Sequence, residues 1–75
     1  MPSTYSVILR PEPEGGYTVR VPALPEIVTY GADEAEAMAM AKDAIELVLQ
    51  SRNELGEPIP PPDAPIYREV TVSAV

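Results

Sequence analysis

Three carboxylates in two loops are the residues best able to do chemistry together. Glu12 and Glu14 lie in the Pro-Glu-Pro-Glu-Gly-Gly stretch of residues 11–16, and Glu26 follows Pro25 in a second loop. Paired carboxylates can hold a hard cation. They act as acid and base only when burial or mutual repulsion shifts their pKa values. Carboxylates in loops rich in proline and glycine are normally solvated. We therefore interpret Glu12, Glu14 and Glu26 as acidic loop residues that face a partner, not as a catalytic group.

Asp33 and Glu36 form a second acidic pair, at the start of a predicted helix. Their spacing is that of a capping box, in which the Asp33 carboxylate accepts a hydrogen bond from the N–H of Glu36. The Glu36 side chain then reaches back to the N–H of Asp33. Because capping explains this spacing, we assign the pair a structural role and predict no metal site there.

The sequence lacks the side chains that nucleophilic catalysis and transition-metal sites usually need. It contains no cysteine and no histidine. It therefore offers no thiolate as a nucleophile or metal ligand, and no imidazole to bind a metal or to activate a serine. Gly15 and Gly16 do not indicate a phosphate loop, because no lysine accompanies them and a strand rather than a helix follows. The sequence therefore predicts no catalytic residue, no metal ion and no cofactor, in a protein that is not an enzyme.

The net charge of −7 results from 12 acidic and 5 basic residues. Binding to DNA or RNA depends on clustered lysine and arginine, whereas the basic residues here are isolated along the chain. An acidic surface instead suits solubility, or a basic protein partner, which it attracts electrostatically. No signal peptide and no run of about 20 apolar residues is visible. We therefore expect a cytoplasmic protein that binds neither nucleic acid nor a membrane.

The hydrophobic pattern predicts an α+β fold in the order β-β-β-α-β. Alternating apolar and polar residues indicate three strands, at 4–10, 17–21 and 27–30. A helix is expected over residues 34–55, with Gly56 as the left-handed residue that ends it. Residues 57–65 contain five prolines and favour an extended passage, after which a last strand is expected at 66–74. Residues 1–75 are thus expected to form one domain, a small antiparallel sheet with one long helix across a face.

The predicted helix has a wider apolar surface than one sheet needs. Its apolar side chains cover an arc of about 200°, whereas covering a sheet takes roughly 100°. One stripe, from Ala37 to Leu55, is expected to face the sheet. Met38, Ile45 and Leu49 form a second stripe, which we interpret as a self-association surface because coherent apolar stripes mark interfaces. We therefore expect a homo-oligomer, either a dimer or a tetramer.

The order of these motifs resembles the HicB-like antitoxin family. Its members often carry a Leu-Pro-Gly-Cys segment, a Thr-x-Gly step, a Glu-Ala pair that opens a helix, and a Gly-Glu-Pro-Leu-Pro ending. The segments that carry the resemblance here are Leu24-Pro25, Val28-Thr29-Tyr30-Gly31, Glu36-Ala37 and Gly56-Glu57-Pro58-Ile59-Pro60. The chain departs from the pattern at Glu26 and Ile27, where glycine and cysteine are common. This departure falls in a loop that a partner could contact.

The resemblance implies a partial RNase H-like fold that lacks the catalytic carboxylates. It also implies a partner, a small basic HicA-like toxin that cleaves mRNA and that the antitoxin holds in check. Many family members append a DNA-binding domain. None is apparent within these 75 residues, so we expect a stand-alone domain that does not bind operator DNA.

Two alternatives to an antitoxin remain open. One is an orphan homo-oligomeric domain that binds a small ligand or has a structural role. The other is a Mg²⁺-dependent hydrolase that uses Glu12, Glu14 and Glu26. A ligand-dependent rise in melting temperature without a protein partner would favour the first alternative. Loss of a nuclease activity when these glutamates become glutamine would favour the second.

Overall fold

A computed structural model of the chain describes residues 3–62 and 65–73. Its elements are β1 (Ile8–Pro11), β2 (Tyr17–Arg20), β3 (Val28–Gly31) and α1 (Glu34–Leu55). The strands form one antiparallel sheet in the order β1-β2-β3, and α1 packs on one face of it. The α+β class, the presence of the first three strands and both ends of the helix agree with the prediction from sequence.

The first core cluster lies between the sheet and the helix. Val19 of β2 is fully buried against Ala37 and Ala41 of α1, and Leu9 of β1 packs beside them. Leu55, which the sequence places on the same helical stripe, is 70% exposed. A helix of 22 residues is about 33 Å long, whereas strands of four residues extend only about 13 Å. The prediction that Leu55 faces the sheet is wrong, because the helix extends beyond the end of the sheet.

The connection between β2 and β3 supplies a second core cluster. Val21, Leu24 and Ile27 are buried together, and Leu24 is fully inaccessible to solvent. Two successive turns fold this connection. The N–H of Leu24 donates to the carbonyl of Val21 at 2.9 Å, and the N–H of Ile27 donates to the carbonyl of Leu24 at 3.0 Å. The proline-bounded loop is therefore part of the core.

Side-chain and backbone caps fix both ends of α1. The Asp33 carboxylate accepts from the N–H of Glu36 at 2.8 Å, as predicted. Glu36 Oε1 accepts from the N–H of Ala32, also at 2.8 Å, and not from that of Asp33. The reciprocal bond therefore closes one residue earlier than the sequence predicts. At the other end, Gly56 has a φ of 71° and ends the helix in the left-handed conformation.

The predicted last strand is absent from the described residues. Residues 66–73 are exposed and belong to no strand, and Ala74 lies outside the described part of the chain. A strand needs a neighbouring backbone to satisfy its hydrogen bonds, and no described strand pairs with this segment. The observed order is β-β-β-α.

The first strand is shorter than predicted for a related reason. Ile8 pairs with Arg20, so the partner of Val7 would be Val21. Val21 already begins the turn towards Leu24, and Val7 packs on the core clusters instead of joining the ladder.

Candidate interaction surface

A groove runs between α1 and the residues that precede β1. Its volume is about 570 Å³. The lining is mostly apolar and includes all three residues of the predicted self-association stripe, with Lys42 and Glu46 at the rim. The apolar lining includes Tyr5, Val7, Met38, Ile45 and Leu49.

The stripe residues differ in how much of their surface the chain itself covers. Met38 is 49% exposed. Ile45 and Leu49 are half-buried and pack against the second core cluster, which contains Leu24. The helix therefore shares these two side chains between its own core and the groove, whereas Met38 contributes mainly to the groove.

The structure does not bring the three loop carboxylates together. Glu12 and Glu14 lie in the turn that precedes Tyr17, at one end of β2. Glu26 precedes β3, whose first residue pairs with Arg20 at the other end of β2. Among the described residues, no three potential ligands from aspartate, glutamate, histidine or cysteine are grouped to hold a metal ion.

Two of these carboxylates already have hydrogen-bond donors of their own. The hydroxyl of Thr18 donates to Glu12 Oε1 at 2.7 Å, and Nε of Arg10 lies 3.5 Å from the same oxygen. The hydroxyl, and after it the charge of Arg10, lowers the pKa of Glu12. The pKa of Glu26 is lowered by its own backbone N–H and then by Arg52, whose Nη2 lies 2.7 Å from Oε2. A general acid requires the opposite shift, so neither side chain is tuned for that role.

Arg52 makes a link that the sequence does not reveal. Besides Glu26, its guanidinium donates to the carbonyl of Pro58 at 3.3 Å, and its own carbonyl accepts from the N–H of Glu57 at 2.8 Å. The hydroxyl of Tyr5 donates to the carbonyl of Pro60 at 2.7 Å. Together these bonds hold the start of the proline-rich segment against the body of the protein. The partners are far apart along the chain, so no local motif indicates them.

The exposed face of the sheet carries a second, smaller apolar surface. Ile8, Val28 and Tyr30 are 44%, 55% and 51% exposed. Arg20 pairs with both Ile8 and Val28 and separates them across the sheet. This positive charge interrupts the surface, so the groove beside α1 is the more continuous apolar feature.

Comparison with known proteins gives a consistent result. A family model described as the HicB_like antitoxin of bacterial toxin-antitoxin system matches residues 4–74. The UPF0150 protein Ta0767 of Thermoplasma acidophilum is 39% identical over 70 residues, which are 93% of this chain and 97% of that protein. Antitoxin HicB of Escherichia coli K12 is 47% identical over 58 residues, 77% of this chain and 42% of the relative. Antitoxin HicB 1 of Photorhabdus laumondii is 39% identical over 71 residues, 92% and 46% of the two chains.

The chain spans less than half the length of these two antitoxins. Within the described residues, no helix has the length and hydropathy that crossing a membrane requires. The family match covers nearly the whole sequence, including the sheet, the helix and the proline-rich segment. The chain belongs to the HicB-like antitoxin family.

Proposed function

We propose that the chain is a non-catalytic antitoxin that binds and restrains a small basic, HicA-like toxin that cleaves mRNA. The observation that carries this proposal is the match of residues 4–74 to the HicB-like antitoxin family. The net charge of −7 supports it. A protein that cleaves RNA presents arginine and lysine to phosphates, and carboxylates compete for the same groups.

Glu14 is the loop carboxylate that we expect to contribute most to toxin binding. It is exposed in the turn between β1 and β2, and within the described residues it forms no ion pair. Glu12 and Glu26, by contrast, already lie beside Arg10 and Arg52. A carboxylate that has no basic side chain beside it in its own chain contributes more to the binding of a basic partner.

Co-production with the small basic protein encoded in the adjacent reading frame tests the proposal. We expect the two proteins to purify as a complex, and RNA cleavage by the isolated toxin to fall as this chain is added. Equal cleavage with and without the chain would contradict the proposal. Glu14→Lys should slow association, because charges at the edge of an interface act mainly on the association rate. Glu54→Lys, an equal charge change near the end of α1, is the matched control.

We also propose that copies of the chain associate through Met38, Ile45 and Leu49 into a dimer or a tetramer. The groove that these side chains line supports this proposal, as does the half-exposed state of Met38. Domains of about this size bury only some 60% of their unfolded surface, and oligomerisation adds to that burial.

The same groove favours a second candidate function, the binding of a small apolar ligand. Its volume of about 570 Å³ falls in the range of ligand pockets, and Tyr5 supplies an aromatic wall with a polar tip. A ligand-dependent rise in melting temperature that Met38→Glu removes, with no protein partner recovered, would favour this alternative over the antitoxin.

A further inference from the structure

We propose that a cleft at the C-terminal end of α1 receives one lysine or arginine side chain of the toxin. The inference rests on the toxin binding proposed above and names the place where a basic residue of that partner inserts. We call this place the Arg52 cleft. Its lining comes from the loop before β3, the end of α1 and the start of the proline-rich segment, and consists of Glu26, Val48, Ser51, Arg52, Glu57 and Pro58.

The Arg52 cleft has the size and the walls that one long basic side chain requires. Its volume is about 430 Å³, towards the lower end of the range of roughly 300–1,000 Å³ that is typical of ligand pockets. Val48 and Pro58 supply apolar surface, and Glu26, Ser51 and Glu57 supply oxygen acceptors. Lysine and arginine lay their methylene stems on apolar surface and direct the charged end towards polar groups. The cleft therefore fits both the stem and the charge of such a side chain.

The cleft is lined by two carboxylates but by a single basic side chain. Arg52 donates from Nη2 to Glu26 Oε2 at 2.7 Å and from Nη1 to the carbonyl of Pro58 at 3.3 Å. Both terminal nitrogens of its guanidinium are thus engaged with groups other than Glu57. Within residues 3–62 and 65–73, the carboxylate of Glu57 forms no ion pair. The cleft can therefore hold one more positive charge, beside Glu57.

The other basic residues of the chain lie elsewhere. Arg10 and Arg20 belong to the sheet, and Lys42 lines the groove beside α1. The guanidinium of Arg68 donates to a carbonyl of its own segment. Because Arg52 is the only basic residue in the lining of the cleft, the cation that Glu57 lacks has to come from a partner. A toxin that binds RNA phosphates carries lysine and arginine on its surface.

Backbone contacts fix the position of Glu57 relative to Arg52 before a partner arrives. The N–H of Glu57 donates to the carbonyl of Arg52 at 2.8 Å, and Gly56 between them has the left-handed conformation that ends the helix. The bond from Arg52 to the carbonyl of Pro58 holds the next residue as well. Because this segment is already ordered, binding a partner there costs less conformational entropy.

Binding kinetics of the toxin to two matched variants test the proposal, with the small basic protein of the adjacent reading frame as the toxin. Glu57→Gln removes the unpaired carboxylate and should weaken binding about fivefold. The loss should appear mainly as faster dissociation, because a charge paired within an interface acts on the dissociation rate. Glu54→Gln makes the same change on the last turn of α1 but outside the cleft, so it should alter only the association rate. Equal dissociation rates of the two variants would overturn the proposal.

Arg52→Gln should have the opposite effect. It removes the positive charge nearest to the incoming side chain and leaves Glu26 unpaired, so the toxin should dissociate more slowly than from the unmodified chain. If Arg52 acted only by holding the loop of Glu26 against the proline-rich segment, the same substitution would speed dissociation, and that result would overturn the proposal. The side chains of Arg52 and Glu26 are 27% and 44% exposed. Circular dichroism should therefore show that the variant keeps its helix.

A titration without the toxin separates this inference from the proposed function. N-acetyl-arginine amide should shift the amide resonances of Ser51 and Glu57 in a ¹⁵N-labelled chain, and Glu57→Gln should abolish these shifts. N-acetyl-citrulline amide, which has a similar stem without the charge, should leave the resonances unchanged. Shifts spread evenly over the exposed carboxylates of the chain would overturn the inference. If the toxin does not bind but the shifts at Ser51 and Glu57 appear, the proposed function fails and the cation site stands. If the toxin binds and the cleft responds to neither test, the inference alone is wrong.

Discussion

The α-carbon of Gly31 lies directly against the backbone of Ala37. A Cβ at position 31 would overlap the amide nitrogen and the α-carbon of Ala37. The backbone of Gly31 is not in the left-handed region, so the requirement for glycine here is one of space. This contact allows α1 to begin three residues after β3 and still cover the sheet.

Gly31→Ala should therefore destabilise the protein strongly. The atoms in its way belong to the backbone of a capped helix and cannot move without displacing α1. We expect a loss of about 2 kcal/mol in the free energy of unfolding, in the range of overpacked cores, measured by chemical denaturation. Gly15→Ala is the control, because a Cβ there meets nothing within 4 Å although its φ is 104°. That variant should lose only about 1 kcal/mol, from backbone strain. Equal losses would rule out the steric explanation.

The helix cap gives a second prediction. Asp33→Ala removes the acceptor of the Glu36 N–H and should lower the free energy of unfolding by about 1 kcal/mol. Asp33→Asn keeps an oxygen at the same place and should retain most of the stability. Thermal unfolding followed by circular dichroism measures both variants. If the asparagine variant is as unstable as the alanine variant, the carboxylate acts through its charge and not through the cap.

Local patterns in the sequence predict α1 well and the rest of the fold less completely. The helix is specified by signals within a few residues of its ends, Asp33 and Gly56, and both act as expected. Leu24 lies in a proline-bounded loop without periodicity, so its full burial follows only from the two turns that fold that loop. Residues 66–73 have a strand pattern but no strand, because pairing depends on a partner that a pattern does not specify.

In the candidate site, too, contacts between residues near in sequence could be predicted and contacts between distant residues could not. The stripe of Met38, Ile45 and Leu49 follows from helical spacing, and the structure brings these residues together along one groove. The ion pair of Glu26 could not be predicted from the sequence, because its partner Arg52 is 26 residues away. A carboxylate interpreted as facing a partner is thus engaged within its own chain.

The pair of Glu26 and Arg52 should make stability depend on pH. The pKa of Glu26 is lowered in the folded state from an ordinary value of 4.5. The ionised carboxylate is stabilised first by its own backbone N–H and then by Arg52. This stabilisation is therefore fully present above about pH 4.5 and is lost as the pH falls through the folded value. Glu26→Gln should lower the melting temperature at pH 7, and the difference from the unmodified chain should shrink towards pH 3. A difference that stays constant with pH would contradict this. Glu14→Gln, at an exposed position without an ion pair among the described residues, is the control.

Self-association gives the last prediction, and the burial of each stripe residue decides which variant tests it. Glutamate at position 45 or 49 would disturb the core as well as the groove, because Ile45 and Leu49 pack against Leu24. Met38 is 49% exposed, so Met38→Glu should keep the fold and dissociate the oligomer. Met40→Glu is a closely matched control, since Met40 lies on the same helix, is 41% exposed and does not line the groove. Sedimentation equilibrium should show a monomer for the first variant and an oligomer for the second. Identical behaviour of the two variants would mean that the groove is not the contact between copies.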